Sequence, residues 1–147
     1  MNRVMLTENE VNVAVKAFLE SHGWVRVVAL SGREHGVDVE GDHPDGKRKV
    51  QVESKGGTSG DSTTSRHGAA FSGSQIRSHI GKALLTVMHL RDRSAANTVL
   101  LALPDDDAHL LHIRHVAESL KKLEIGVLAI SRSDVRVVQG SADAVSG

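Results

Sequence analysis

The sequence has no cysteine, only two prolines and few aromatic residues. Without cysteine, disulfides and thiolate metal sites are excluded, and a reducing, cytoplasmic compartment is expected. The aromatic residues are Phe18, Trp24 and Phe71, too few for the base-stacking surface of a single-strand binder. No apolar run approaches the length of a membrane span, and the first residues are too short a run for a signal peptide. We therefore expect a protein without a membrane partner.

Positive charge is not in excess either, because 18 basic residues balance 18 acidic ones. The charges are unevenly distributed, however. Residues 47–93 carry nine basic side chains against three acidic ones, Glu53, Asp61 and Asp92. A basic middle third is typical of a local phosphate-binding surface. The alternative interpretation is a solvated surface of mixed charge.

Two short runs, residues 37–40 and 50–55, alternate between valine and polar side chains. This period of two is typical of strands with one apolar and one polar face. Between the runs lies Pro44-Asp45-Gly46, which favours a tight turn. The sequence therefore predicts an antiparallel hairpin.

The register of this hairpin decides whether two carboxylates meet. With Asp42 opposite Lys47, Asp38 lies opposite Gln51 and diagonal to Glu53, roughly 7 Å or less between Cβ atoms. A slip of one residue would turn one strand's valines out of the core, so burial favours the register in which both carboxylates share a face.

Two neighbouring carboxylates repel each other and are costly to keep ionised without a cation between them. Asp38, Glu53 and the backbone carbonyl of Ser54 would supply hard oxygen ligands to Mg²⁺, which usually keeps several waters. Lys55, on the same strand face as Glu53, would orient or help deprotonate a water, or stabilise charge on a phosphate. This set predicts metal-assisted phosphodiester hydrolysis.

Asp38, fourteen intervening residues and then Glu53-Ser54-Lys55 resemble the D-(X)n-E-X-K signature of the PD-(D/E)XK nuclease superfamily, which has the restriction-endonuclease-like fold. Val37 stands where many members have proline. The resemblance implies an endonuclease dependent on Mg²⁺ or Mn²⁺, with DNA as its favoured substrate. It also implies a homodimer, because nucleases of this fold commonly dimerise to cut both strands.

The first helix, about residues 8–22, begins at Thr7-Glu8-Asn9-Glu10, which matches a capping box. In the resembling nucleases this helix often presents a glutamate to the metal. The family's usual spacing leads to Asn12 instead, with Glu8 one turn earlier on the same face. The contribution of Glu8, Glu10 or Asn12 therefore stays open, and Glu10 has the alternative role of helix cap.

Residues 56–74 show no periodicity and follow the strand that carries Lys55. A loop of this length in a compact domain is usually functional or disordered. We expect a lid that contacts the substrate through Thr58, Ser59, Arg66 and His67. The alternative is a flexible linker rich in glycine and serine.

A second helix is predicted over residues 75–90, with apolar residues at helical spacing. The resemblance implies that Gln75, at its start, positions the attacking water together with Lys55. Arg77, His79 and Lys82 lie on the polar side and would contact nucleic acid, unless they are only solvated.

The remaining pattern predicts strands at 24–30, 97–103, 125–130 and 135–138, and a third helix at 108–123. Residues 97–130 form a strand–helix–strand unit whose strands should be parallel. Pro104-Asp105 is not followed by E-X-K, and Asp105-Asp106-Asp107 is better explained as the N-cap of a helix. Zinc binding by His109, His112 and His115 is the weaker interpretation, because no other ligand motif joins them.

The order of elements predicts an α/β protein, a three-layer α/β/α sandwich with a central mixed sheet of restriction-endonuclease-like type. One nuclease-like domain would cover residues 1–147, with a core at 7–104, a C-terminal helix and strands at 105–139 and a flexible tail at 140–147. The alternative to a nuclease is a catalytically silent nucleic-acid-binding or assembly module that keeps the fold. A structural subunit with surface carboxylates is a third reading.

Overall fold

The computed structural model of the chain describes residues 5–30, 36–58 and 70–140. Three predicted substrate contacts, Ser59, Arg66 and His67, lie outside these ranges, as does the predicted tail beyond Gly140. Within the ranges, no helix combines the length and the apolar character needed to cross a bilayer.

A six-stranded mixed sheet forms the centre of the molecule, with its strands in chain order. The strands are β1 (Val25–Ala29), β2 (Val39–Asp42), β3 (Lys49–Ser54), β4 (Thr98–Pro104), β5 (Ile125–Ile130) and β6 (Val135–Gln139). The first three strands are antiparallel, β3 to β5 are parallel, and β6 returns antiparallel. Continuous apolar sequence in β4 and β5 suits strands that helices cover on both faces.

Helices cover both faces of the sheet. They are α1 (Glu8–Ser21), α2 (Gly73–Arg93), α3 (Asp107–His115) and α4 (Ala117–Lys122). Helix α1 packs on one face, where Val11, Val15 and Leu19 join one apolar cluster. The other helices pack on the opposite face, where Ile80 and Ile113 join a second cluster. The predicted three-layer α/β sandwich is confirmed.

The predicted helix over 108–123 is wrong as a single element, because it divides at Val116. Val116 ends α3 and precedes α4 with a φ of −121°, and its β-branched side chain lowers helix propensity. The predicted start of α2 was two residues late. A capping box between Ser72 and Gln75 starts the helix at Gly73.

The predicted register of the β2–β3 hairpin is also wrong, by two residues. Asp42 pairs with Lys49, and the His43 amide donates to Arg48 O at 2.9 Å. Pro44 and Asp45 occupy the centre of a turn that the Gly46 amide closes onto His43 O at 2.8 Å. Proline is favoured at the first central position of such a turn, and this fixes the loop at residues 44–47.

The corrected register changes the geometry of the carboxylates. Val39 pairs with Val52, so the preceding residue, Asp38, comes directly opposite Glu53 rather than diagonal to it. Strand β2 begins only at Val39. The predicted alternation of valine and polar side chains between the two strand faces therefore does not extend to Val37. Val37 packs with the α2-side cluster, whereas Val39 belongs to the α1-side cluster.

Candidate active site

The carboxyl end of β3 is the meeting point of three elements. Strand β4 runs beside it, and the Lys55 amide donates to Ala102 O at 3.0 Å. Helix α1 begins against it because residues 56 and 57 are glycines. A Cβ on Gly56 would lie 2.4 Å from the Glu8 amide nitrogen, and the Gly57 amide donates to Leu6 O at 2.8 Å. The missing side chains therefore allow the start of α1 to reach the end of β3.

Asp38 and Glu53 lie side by side at this strand end. Asp38 Oδ2 accepts a hydrogen bond from the Ser54 amide at 2.8 Å, which fixes the carboxyl group beside β3. The Glu53 side chain is only 13% exposed, and its Oε1 lies 3.5 Å from Lys55 Nζ. The structure thus brings together the three residues of the predicted motif.

The electrostatics of this site are dominated by negative charge. Burial, followed by the charge of Asp38, raises the pKa of Glu53 to about 8, although Lys55 opposes the shift. A hydrogen bond to Asp38 and the charge of Glu8 contribute in the same upward direction. One lysine therefore faces three carboxyl groups, and Glu53 holds a proton near neutral pH.

Of the three first-helix candidates, Glu8 lies at this cluster. Burial raises its pKa, and the charge of Asp38 adds to the effect. Glu10 instead accepts from the Thr7 amide at 3.0 Å and pairs with Arg132 at 3.0 Å, so the predicted capping box is confirmed. Asn12 is buried, and its amide donates to Leu30 O at 3.2 Å.

Three other predicted site residues, Ser54, Thr58 and Gln75, are buried or take part in a structural hydrogen bond. Ser54 is fully buried, and its hydroxyl has no hydrogen-bond partner within the described part of the chain. Thr58 is 3% exposed, so it lies inside the protein rather than where a substrate could contact it. Gln75 Oε1 accepts from the Ser72 amide at 2.8 Å. The carboxamide oxygen of Gln75 is therefore used by the capping box, which the Ser72-x-x-Gln75 pattern could have predicted.

The predicted nucleic-acid contacts on α2 differ in exposure. Arg77 and Lys82 are exposed, whereas His79 is half-buried. The His79 ring packs edge-on against Phe71, with 4.6 Å between the ring centroids. Burial, and then the positive charge of Lys55, lowers the pKa of His79. His79 is thus within electrostatic reach of the lysine at the end of β3.

One hydrogen-bonded pair, Asp106 and His109, was not predicted from the sequence. Asp106 caps α3 by accepting from the His109 amide at 2.8 Å, and it also meets His109 Nδ1 at 2.8 and 2.9 Å. The predicted cap among residues 105–107 is confirmed as Asp106. His109 is 1% exposed, whereas His115 is exposed. The spacing of aspartate and histidine by three residues was visible in the sequence, but the burial of the histidine was not.

The structure allows a test of whether this donor set suits the metal that the resemblance implies. Across residues 5–30, 36–58 and 70–140, no group of three or more histidine or acidic residues is arranged to hold a metal ion. Asp38 and Glu53 nevertheless present two hard oxygen ligands in a region of excess negative charge. Because Mg²⁺ keeps several waters, two carboxylates and a backbone carbonyl suit it chemically.

Comparison with known proteins gives no match, whether to a family model, to a curated protein or to a solved structure. The superfamily resemblance carried by Asp38 and Glu53-Ser54-Lys55 therefore stays a prediction. The function has to be argued from the side chains at the end of β3.

Proposed function

We propose that the protein is a metal-dependent nuclease of PD-(D/E)XK type that hydrolyses phosphodiester bonds, with DNA as its favoured substrate. The observation that carries this proposal is the convergence of Glu8, Asp38 and Glu53 on a single lysine, Lys55. Buried carboxyl groups with perturbed pKa values are typical of functional sites. The order of α1, three antiparallel strands, α2 and the parallel β4 also agrees with a restriction-endonuclease-like core.

In this proposal each residue of the cluster has its own role. Asp38, Glu53 and the Ser54 carbonyl hold Mg²⁺ or Mn²⁺, which supplies Lewis-acid stabilisation of the phosphate. Glu8 increases the negative potential that attracts the cation. Lys55 orients the attacking water and stabilises charge that develops on the phosphate. Gln75 contributes only its amide nitrogen, since its oxygen is held by the Ser72 amide.

Substrate binding is assigned to the polar side of α2. The exposed Arg77 and Lys82 contact backbone phosphates, which attract lysine and arginine regardless of sequence. His79, half-buried on the same helix, is the third contact predicted there. The contacts predicted for Ser59, Arg66 and His67, and the homodimer, remain predictions.

The experiment is a cleavage assay on duplex, single-stranded and branched DNA and on RNA, with Mg²⁺, Mn²⁺ or EDTA. Asp38→Asn is compared with Asp42→Asn, since both aspartates lie on the same hairpin and Asp42 instead pairs with Arg26 and Lys49. Removing a residue that hydrogen-bonds to a metal ligand typically lowers activity by about 10–100-fold. Because Asp38 is itself a proposed ligand, we expect Asp38→Asn to lower activity by at least about 100-fold. Asp42→Asn should cleave as the wild type does.

Cleavage that persists in Asp38→Asn and in Lys55→Ala would assign the activity to a contaminant or to another site. Cleavage that EDTA does not stop would refute metal dependence. The choice between DNA and RNA is read from the same assay.

A nucleic-acid-binding module without catalysis is the second candidate. It is favoured by one observation, the lack of a preformed set of three metal ligands in the described ranges. It predicts DNA binding that weakens with salt, no cleavage and no calorimetric signal on titration with Mn²⁺. A Mn²⁺ signal that Asp38→Asn abolishes would argue against this candidate.

A further inference from the structure

Asn12 is a buried polar residue of α1 that has no role in the function proposed above. Its side chain is 3% exposed, and its helix neighbours Val11 and Val15 belong to the apolar cluster between α1 and the sheet. The carboxamide donates through Nδ2 to Leu30 O at 3.2 Å. A polar contact therefore joins α1 to the residue that follows β1.

Leu30 is in turn hydrogen-bonded to Asp38. Strand β1 ends at Ala29 and β2 begins at Val39, so Leu30 and Asp38 lie just beyond the regular pairing of these two strands. The Leu30 amide donates to Asp38 O at 2.8 Å. Both backbone groups of Leu30 are thus used, the amide by Asp38 and the carbonyl by Asn12.

Asp38 is held at two points. Its backbone carbonyl accepts from the Leu30 amide, and its side-chain Oδ2 accepts from the Ser54 amide at 2.8 Å. The first hydrogen bond fixes where the residue lies, and the second fixes the direction of its carboxyl group. Because the two act together, a displacement of Leu30 would move the carboxylate that is the proposed metal ligand.

The side chain of Leu30 also packs against the segment that leads into Asp38. A Cβ on Gly36 would lie 3.2 Å from Leu30 Cδ1, and Gly36 has a φ of +133°, which favours glycine. The absence of a side chain at this position lets Leu30 lie close to the backbone two residues before Asp38. Leu30 is therefore the contact through which α1 can set the position of Asp38.

Packing alone does not explain an asparagine at position 12. Its Oδ1 is buried and has no hydrogen-bond partner in the part of the chain that the structure describes. An unpaired buried acceptor is unfavourable, and an apolar side chain of similar size would fill the same space without one. What the carboxamide adds is its directed hydrogen bond to Leu30 O.

We propose that Asn12 is a positioning residue, which sets the Asp38 carboxylate for metal binding by holding Leu30 in place. The inference rests on the proposed nuclease function, in which Asp38 binds Mg²⁺ or Mn²⁺. Asn12 acts through Leu30 and not by contact with the substrate. Such positioning matters because a displacement of about 1 Å, caused by a residue away from the reaction, can lower activity by about 10²-fold.

The test compares Asn12→Leu with Asn97→Leu. Asn97 is a matched control because it also joins a carboxamide to the backbone, at the start of β3, where its Oδ1 accepts from the Lys49 amide at 3.0 Å. Both variants replace the carboxamide with an apolar side chain of similar size. Amide hydrogen exchange in the metal-free proteins measures how firmly each segment is held, and cleavage of duplex DNA with Mn²⁺ measures function.

In metal-free Asn12→Leu, the amides of Leu30 and Ser54 should exchange at least about tenfold faster than in the wild type. With Mn²⁺, kcat should fall by about 10-fold and the Kd for Mn²⁺ should rise by a similar factor, the lower end of the range for residues that support a metal ligand. KM for DNA should not change, because the proposed phosphate contacts lie on α2. The urea midpoint should stay near that of the wild type, since the unpaired Oδ1 is removed together with the hydrogen bond.

Asn97→Leu should instead speed exchange at the Lys49 amide. Exchange at Leu30 and Ser54, kcat and the affinity for Mn²⁺ should all stay at their wild-type values. If Asn12→Leu does not fold, Asn12→Ala takes its place, because alanine favours the helix and is too small to clash. Faster exchange at Leu30 and Ser54, but not at Lys49, is then the expected result.

Unchanged exchange at Leu30 and Ser54 in a folded Asn12 variant would overturn the inference while leaving the nuclease function intact. Wild-type kcat and Mn²⁺ affinity in that variant would do the same, whatever the change in stability, because Asn12 would then be only a structural tether. A wild type that binds DNA but does not cleave it with any metal would overturn the nuclease function and the inference with it.

Discussion

Both ends of the β2–β3 hairpin carry acidic residues and a lysine. The pKa values of the acidic residues, however, are shifted in opposite directions at the two ends. At the exposed end, Asp42 lies 2.7 Å from Lys49 Nζ and 2.8 Å from Arg26 Nε, and these hydrogen bonds lower its pKa. At the buried end, burial and the charge of Asp38 raise the pKa of Glu53 to about 8.

The difference comes from burial and from the number of cations, not from the residue types. Asp42 has two cationic partners in solvent, where each pair is worth little. Three carboxyl groups at the buried end share Lys55, so their surroundings favour the neutral form or an added cation. The hairpin therefore offers a candidate site and, at its other end, a matched control.

The largest expected difference is between the effects on activity of substituting Lys55 and Lys49. Lys55→Ala removes the cation next to Glu53 and should lower kcat by about 10²–10⁴-fold, the range for a positioned catalytic group. Lys49→Ala, six residues earlier at the start of β3, should leave kcat and KM unchanged. Steady-state cleavage of DNA with Mg²⁺ measures both, and equal losses would show that the two ends do not differ in function.

The two acids should give opposite pH dependences of stability. In the folded state Glu53 has a pKa near 8, against an ordinary value of 4.5. Its contribution is therefore fully present below pH 4.5 and is lost as pH rises toward 8, by a few kcal/mol at most. Glu53→Gln should remove this decline in urea denaturation with EDTA present. Added Mg²⁺ should raise the free energy of unfolding at pH 8 more in the wild type than in the Glu53→Gln variant.

The corresponding loss for Asp42 occurs at low pH. Its pKa lies below the ordinary 3.8, so its small contribution is present above that value and is lost as pH falls through the folded pKa. Asp42→Asn should flatten only the acidic part of the denaturation series.

A decline in stability toward pH 8 that persists in Glu53→Gln would contradict the assignment of the raised pKa to Glu53.

The approach of α1 to β3 predicts a contrast between two glycines. A Cβ on Gly56 would lie 2.4 Å from a backbone nitrogen, whereas a Cβ on Gly81 would have no neighbour within 4 Å. Gly56→Ala should destabilise the protein by about 1–3 kcal/mol, as overpacking does, and should move Glu8 away from the cluster. Gly81→Ala, in the middle of α2, should stabilise it by about 0.5–1 kcal/mol. Chemical denaturation measures both.

The smallest effect is expected at the exposed end of the hairpin. Lys49→Ala removes the pairs with Asp42 and Glu40, which lie 2.7 and 3.5 Å from Nζ. Exposed pairs contribute little to stability, and the loss should shrink further in high salt. A salt-independent loss in urea denaturation would show that this end is not a solvated ion pair.

Much of the fold was predictable because its signals are local. The Thr7 capping box, the valine alternation of β3 and the continuously apolar β4 and β5 each depend on neighbours in sequence. The same local signals placed Asp38, Glu53 and Lys55 on a common hairpin. The capping box at Ser72 was equally readable, and it explains why α2 began earlier than expected.

Other features depended on contacts between distant segments. The choice of Glu8 over Glu10 follows from the packing of α1 on Gly56, across nearly fifty residues of chain. The pairing of Asp38 with Glu53 followed from the turn at Pro44, which moved the register by two residues. The burial of His109 required the position of α3 beside β4.

The sequence by itself determined most of the elements, their order and the short motif at the end of β3, because helix caps, strand alternation and turn residues act over a few positions. Only the tertiary structure decided the chemistry of that motif. A carboxylate changes its pKa through burial and through charges brought in from other elements. At the end of β3 these are Glu8 from α1 and Asp38 from the neighbouring strand's start.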